Sequence, residues 1–309
     1  MTIPVWVQWT VFIVLVVAML GGDIFVMKRL GRALRNREAL LITGIYVAIA
    51  MLFGVFVYFA RGGQSALEFY TGYLLEESLS IDNLFVFVII FRQFKVPKEL
   101  EHKVLMWGIV GAFILRLVFI VLGVALITRF AWLFYVFGAF LIYTGIKLLW
   151  EQEHTADVTD MRLVRWIRKL FPVTDSYRGD RLFVVEAGRR MATPLFVVIL
   201  VIEASDVMFA LDSIPAIFSI TTDTFIIYTS NIFAILGLRA LYAVLGALVE
   251  RFHHLRIGIA GILVFVGVKL SLANHYHMPT ALSLGIIAGA LIAAVVASLL
   301  LPPKPTTDA

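Results

Sequence analysis

The stretch Val198–Ser219, VILVIEASDVMFALDSIPAIFS, sets Glu203, Asp206 and Asp212 inside a run otherwise apolar enough to cross a bilayer. A second stretch, Leu67–Phe91, holds the related pattern EESLSIDN with Glu76, Glu77 and Asp82. Carboxylates at membrane depth are costly and are rare unless they face a partner, a cavity or a transported ion. Two acidic helices in one membrane protein point to a cation path. The candidate metal-binding acids are Glu76, Asp82, Glu203, Asp206 and Asp212, with Ser78, Asn83, Ser205, Ser213 and Asn231 as supporting polar groups. Oxygen ligands of this kind suit hard divalent cations such as Mg²⁺, Ca²⁺ and Mn²⁺. No histidine falls within an apolar span, which disfavours an imidazole site for zinc or nickel, and Met208 reads as core packing. His275 and His277 stand in the loop NHYH, where a plain surface loop is the simpler reading than a loading site.

Glu76 to Asp82 and Asp206 to Asp212 are both six residues apart, about 240° around an unbroken helix, so neither pair shares a face. Two arrangements remain open. Either the helices unwind between the acids, or each helix offers one acid to the site and the other to a gate. Pro215 in DSIP removes the bond to the carbonyl of Leu211 and favours local disruption near Asp212 and Ser213. Arg116 and Arg239, each within an apolar run, are the expected counter-charges. Five acids against two arginines leave an excess of about three negative charges, which a divalent ion or incoming protons would offset.

The elements that must carry these residues are membrane helices. The chain is 61% hydrophobic and 15% charged over 309 residues, well short of the charge of a soluble domain. Nine apolar segments, at about 5–27, 39–60, 66–91, 104–127, 130–150, 192–219, 224–248, 257–273 and 280–301, predict an all-α polytopic bundle of nine spans. The first of them has no basic leader and reads as a retained helix. There is no cysteine, so disulfides and thiol redox chemistry by this chain's own residues are excluded. No nucleophile–base pair or phosphate loop argues for an enzyme.

The net charge of +5 resides in alternate connections, which fits membrane orientation and not nucleic-acid binding. Lys28, Arg29, Arg32, Arg35 and Arg37 lie in one, Arg92, Lys95, Lys98 and Lys103 in the next, and eight basic residues in 151–190. The intervening connections hold only Arg61 and Arg129. This bias predicts an outer N-terminus and a cytoplasmic C-terminus. Asp23 and Lys147, near the cytoplasmic ends of their spans, read as snorkelling or bundle-stabilising residues.

Acid, arginine and lysine recur in one order: ESLSID, Arg116 and TGIKLL, then DVMFALD, Arg239 and GVKLSL. Three helices per copy is an odd number, so the second copy enters from the opposite side, as in the inverted repeats of secondary transporters. The organisation predicted is two helices in 1–65, a first three-helix unit in 66–150, a basic cytoplasmic connection in 151–191, an inverted unit in 192–273, and a last helix with a short tail in 274–309. Within the connection, DMRLVRWIRKLFP suits an interfacial helix, with a protein partner docking there as the other reading.

ESLSIDNLFVF (Glu76–Phe87), EASDVMFALDSIP (Glu203–Pro215) and TSNIFAILGLRALY (Thr229–Tyr242) resemble the signature segments of the TerC family, integral membrane proteins named for tellurium resistance. The resemblance covers at least residues 67–273. It implies a manganese exporter of the bacterial inner membrane, with Mn²⁺ as substrate, protons as candidate coupling ion, no permanently bound cofactor, and functional acids at Glu76, Asp82, Glu203, Asp206 and Asp212. It also implies an alternative, a non-transporting scaffold for membrane-protein insertion or enzyme metalation, while the oxygen ligands themselves leave a Ca²⁺ or broader divalent exchanger as another.

Overall fold

The computed structural model of the chain describes residues 3–30, 36–130, 132–150, 172–186, 188–245, 255–273 and 278–300. Among these the elements run α1 (Val5–Leu30), α2 (Asn36–Arg61), α3 (Gly63–Gln93), α4 (Lys98–Arg129), α5 (Leu133–Trp150), β1 (Phe183–Glu186), β2 (Arg189–Ala192), α6 (Pro194–Phe218), α7 (Thr224–Leu245), α8 (Leu255–Leu272) and α9 (Thr280–Leu300). Each apolar segment read from the sequence falls on one of these helices. Six of them, α1, α2, α4, α5, α6 and α9, are long and apolar enough to cross a bilayer. α3 is not among the six because Glu76, Glu77 and Asp82 crowd its centre.

Helix ends follow local chemistry. Gly62 adopts φ 95°, which a side chain resists, and so separates α2 from α3 without a loop. Pro194 opens α6 at its first turn, where its missing N–H would have had no helical partner. Glu99 and Glu101 in the first turn of α4, and Arg129 in its last, complement the helix dipole.

The fold is an all-α membrane helix bundle whose outer face is apolar. Leu41, Phe59, Ile114 and Leu299 are 63–70% exposed, as side chains are when lipid is their solvent. Aromatic packing of Phe12, Phe53, Phe69, Phe225 and Phe233 joins α1, α2, α3 and α7, with the Phe53 and Phe233 rings 4.9 Å apart.

Three main pairings build the centre: α3 on α7, α4 on α6, and α5 on α8. Exchanging α3–α4–α5 for α6–α7–α8 turns this set of pairings into itself. The α5–α8 crossing has the closest backbones. A Cβ on Gly138 would lie 2.7 Å from the Gly267 carbonyl, and one on Gly145 2.8 Å from the Ala260 carbonyl. Small residues at these positions are what let two membrane helices touch backbone to backbone. As the α5 number rises the α8 number falls, so the two helices are antiparallel.

The connection ahead of α6 is not helical where it is described. β1 and β2 form an antiparallel hairpin, pairing Phe183 with Ala192 and Glu186 with Arg189. The segment leading into it packs against the α3–α4 region: the Tyr177 hydroxyl donates to the Phe94 carbonyl at 2.9 Å, and Lys103 Nζ donates to Asp180 at 2.8 Å. Alternation in LFVVEAGRRMA around Gly188, at φ 75°, is the strand signal beneath the basic composition. The predicted interfacial helix lies outside the described residues apart from Pro172, as do His275 and His277.

Candidate functional site

Both acidic helices run unbroken, α3 through Glu76 and Asp82 and α6 through Asp206 and Asp212, so the expected unwinding does not occur. Pro215 sits inside α6 close to its end, within the last turn, where losing one backbone bond is tolerated. On α6 the two acids separate onto two faces, as six residues at 3.6 per turn require.

On one face, Arg116 of α4 is fully buried and organises a polar cluster. Its guanidinium donates to the carboxylate of Glu76 on α3 and to the side-chain oxygen of Asn231 on α7. It also reaches Ser213 Oγ at 3.3 Å and pairs with Asp206 of α6 at 3.5 Å. Glu76 and Asp206 occupy matching places in the two motifs, so one arginine answers one acid from each unit. The planar fork of donors suits it to bridging several acceptors. Ser213 therefore faces Arg116 and is turned away from Asp212, its neighbour in sequence, which corrects the grouping of Asp212 with Ser213. Asp206 Oδ2 has no hydrogen-bond partner and borders a cavity of about 20 Å³, large enough for one water.

On the other face, Asp212 lines a larger cavity of about 140 Å³, walled by Leu79 and Asn83 of α3, Thr144, Lys147 and Leu148 of α5, Phe209 of α6 and Ile259 and Leu263 of α8. Thr144 Oγ1 donates to Asp212 Oδ1 at 3.3 Å. The walls come from α3, α5, α6 and α8, and the volume admits a cation with a few waters. Asp82 precedes Asn83 on α3; its side chain, like that of Arg239, lies outside the described residues. Among the described residues no three acidic or histidine side chains come together to hold a metal.

Several sequence-predicted residues are placed elsewhere. Glu203 lies against the α4 backbone at Gly111, which has no side chain to displace it, and its Oε2 is buried without a hydrogen-bond partner. Its charge lies close enough to interact with that of Asp206, at the edge of the Arg116 cluster. The hydroxyls of Ser78 and Ser205 donate to the carbonyls of Leu74 and Val201 one turn earlier, so both are committed to their own helices. Glu77, set apart from Glu76 by the 100° step, turns toward Gly237 of α7 beside Tyr73. Thr144 and Lys147 were not selected as site residues from sequence. Their three-residue spacing on a helix with Gly138 and Gly145 at its contact face is the signal that marks them.

Comparison with known proteins supplies the family. The model of the integral membrane protein TerC family matches residues 61–305. The chain is 47% identical over 302 residues to a membrane protein of Myxococcus xanthus, covering 97% of this chain and 95% of that one. It is 43% identical over 293 residues to the Escherichia coli K12 protein named "Putative membrane-bound redox modulator Alx", covering 92% and 91%. A Rickettsia bellii membrane protein is 40% identical over 293 residues, covering 95% and 97%. No solved structure matches. With most of its length matched by the family model and by relatives of the same size, this chain belongs to the TerC family of integral membrane proteins.

Proposed function

We propose that the protein is a divalent-cation transporter with Mn²⁺ as substrate, moving it out of the cytoplasm by alternating access between the two three-helix units. The observation that carries this reading is the cavity holding Asp212, Thr144 and Asn83 between those units, with Asp82 next along α3. Carboxylate, hydroxyl and amide oxygens with room for water are the ligand set of a hard divalent ion. The pairing symmetry and the antiparallel α5–α8 crossing support an inverted repeat, in which the site lies between the halves. In this scheme Asp82 and Asp212 are the ligands. Arg116 pairs with Glu76 and Asp206 in the buried interior, so these two acids hold the bundle in register and do not take the ion. The basic connections support an outer N-terminus and a cytoplasmic C-terminus, in what we propose is a bacterial inner membrane.

The test is Mn²⁺ efflux from loaded proteoliposomes. Asp212→Asn removes a charged ligand, and the rate falls more than tenfold while the protein keeps its fold. Wild-type efflux in that variant would overturn the assignment. Substituting Ca²⁺ for Mn²⁺ in the same assay decides between a manganese-selective site and a broader one, because cavity flexibility sets that choice. A non-transporting scaffold would leave wild-type vesicles as tight to Mn²⁺ as protein-free ones.

A further inference from the structure

Lys147 shares the Asp212 cavity, and the transport scheme above gives it no task. Thr144 and Lys147 stand three residues apart on α5, hence on one side of the helix. The Thr144 bond to Asp212 turns that side toward α6, which brings the Lys147 stem to the cavity wall. A lysine carries a compact charge on a flexible four-carbon stem, so it can occupy a site and withdraw from it.

The corresponding lysine of the second unit behaves differently. Lys269, in GVKLSL, is buried and donates to Ser283 of α9 at 2.8 Å. One lysine of the repeat thus ties α8 to α9, and the other opens on a cavity that contains a carboxylate. Lys147 is exposed where Lys269 is buried, so its head can reach both water and the cavity.

We infer that Lys147 is a tethered cation that competes with the metal for the Asp212 cavity. This rests on the proposed transport function. The ammonium occupies the unloaded cavity and balances the carboxylate, and it moves aside when a divalent ion enters. Its positive charge weakens metal binding and, by the same repulsion, speeds metal release. Lys147 acts as a positioning and affinity-setting residue, and no proton need leave it.

The experiment uses the full-length protein in detergent and titrates Mn²⁺ while following thermal unfolding, then measures efflux from loaded proteoliposomes. Lys147→Met should reach half its Mn²⁺-induced shift at about tenfold lower metal concentration than wild type, the size expected for deleting one nearby charge. Its maximal efflux rate should fall, because release is slowed. Lys147→Arg keeps the charge and stays within about threefold of wild type in the titration, by the same electrostatic argument. Lys269→Met lowers the metal-free melting temperature and leaves the Mn²⁺ midpoint in place. A folded Lys147→Met protein with an unchanged or higher midpoint overturns the inference; Lys147→Gln decides the matter if Met is not tolerated. Wild-type protein that shows no Mn²⁺-dependent shift would overturn the transport reading and this inference together, whereas an unchanged Lys147→Met midpoint removes only the inference.

Discussion

Arg116 is fully buried, and its pairing partners come from α3, α6 and α7. Removing one partner of a buried, hydrogen-bonded ion pair strands the others, which typically costs about 3–5 kcal/mol. Arg116→Met should therefore unfold at markedly lower temperature in detergent, and adding Glu76→Gln to it should recover part of the loss. If the double variant is no more stable than the single, the two residues are not energetically coupled. Ser78→Ala and Ser205→Ala make the opposite case. Each hydroxyl returns to its own helix, so both variants should keep Mn²⁺ efflux within about twofold of wild type, as substitutions that strand no buried partner do. A tenfold loss in either would mean that the hydroxyl also serves the ion.

At the scale of elements, the α5–α8 crossing depends on backbones that no side chain separates. Gly145→Val places methyl groups where the Ala260 carbonyl and Val264 already stand, and overpacking of this kind costs about 1–3 kcal/mol. The same closeness offers a direct test. Gly138→Ala, whose Cβ would meet the Gly267 carbonyl at 2.7 Å, should lower the melting temperature in detergent, and an unchanged value would place the two helices apart. The hairpin before α6 gives a pH-dependent prediction. The Lys103 hydrogen bond and charge hold the Asp180 carboxyl below the ordinary 3.8. A depressed carboxyl contributes stability that is present above 3.8 and lost as pH falls below it. Amide exchange in the hairpin should accelerate in that acid range, and Asp180→Asn should abolish the acceleration. Helices and their order were legible in the chain because apolar runs of bilayer length leave few alternatives. The hairpin was hidden by its arginines, which read as a basic surface, and only the alternation about Gly188 betrayed strands. The acids of Glu76 and Asp206 were identifiable by type. Their capture by Arg116, leaving Asp212 to a separate cavity, depended on helix rotation, which residue spacing alone did not decide between the two open arrangements.

For the whole molecule, the cavity between the two units is the place where ion and proton would exchange. Acidifying the side from which metal loads should slow transport, since protonated carboxylates bind cations poorly, whereas a rate indifferent to pH on both faces would remove proton coupling from the scheme. The relatives named for redox modulation share the chain's full length, yet this sequence carries no thiol. Any redox effect of this chain would therefore have to arise from something other than cysteine chemistry of its own.

A guanidinium gripped from three sides at one depth also constrains how the bundle can move. The helices cannot slide past that point without breaking contacts that nothing nearby would replace. Any rocking of the halves must turn about it like a lever on its fulcrum, with displacement growing toward the two membrane surfaces and vanishing at the pin.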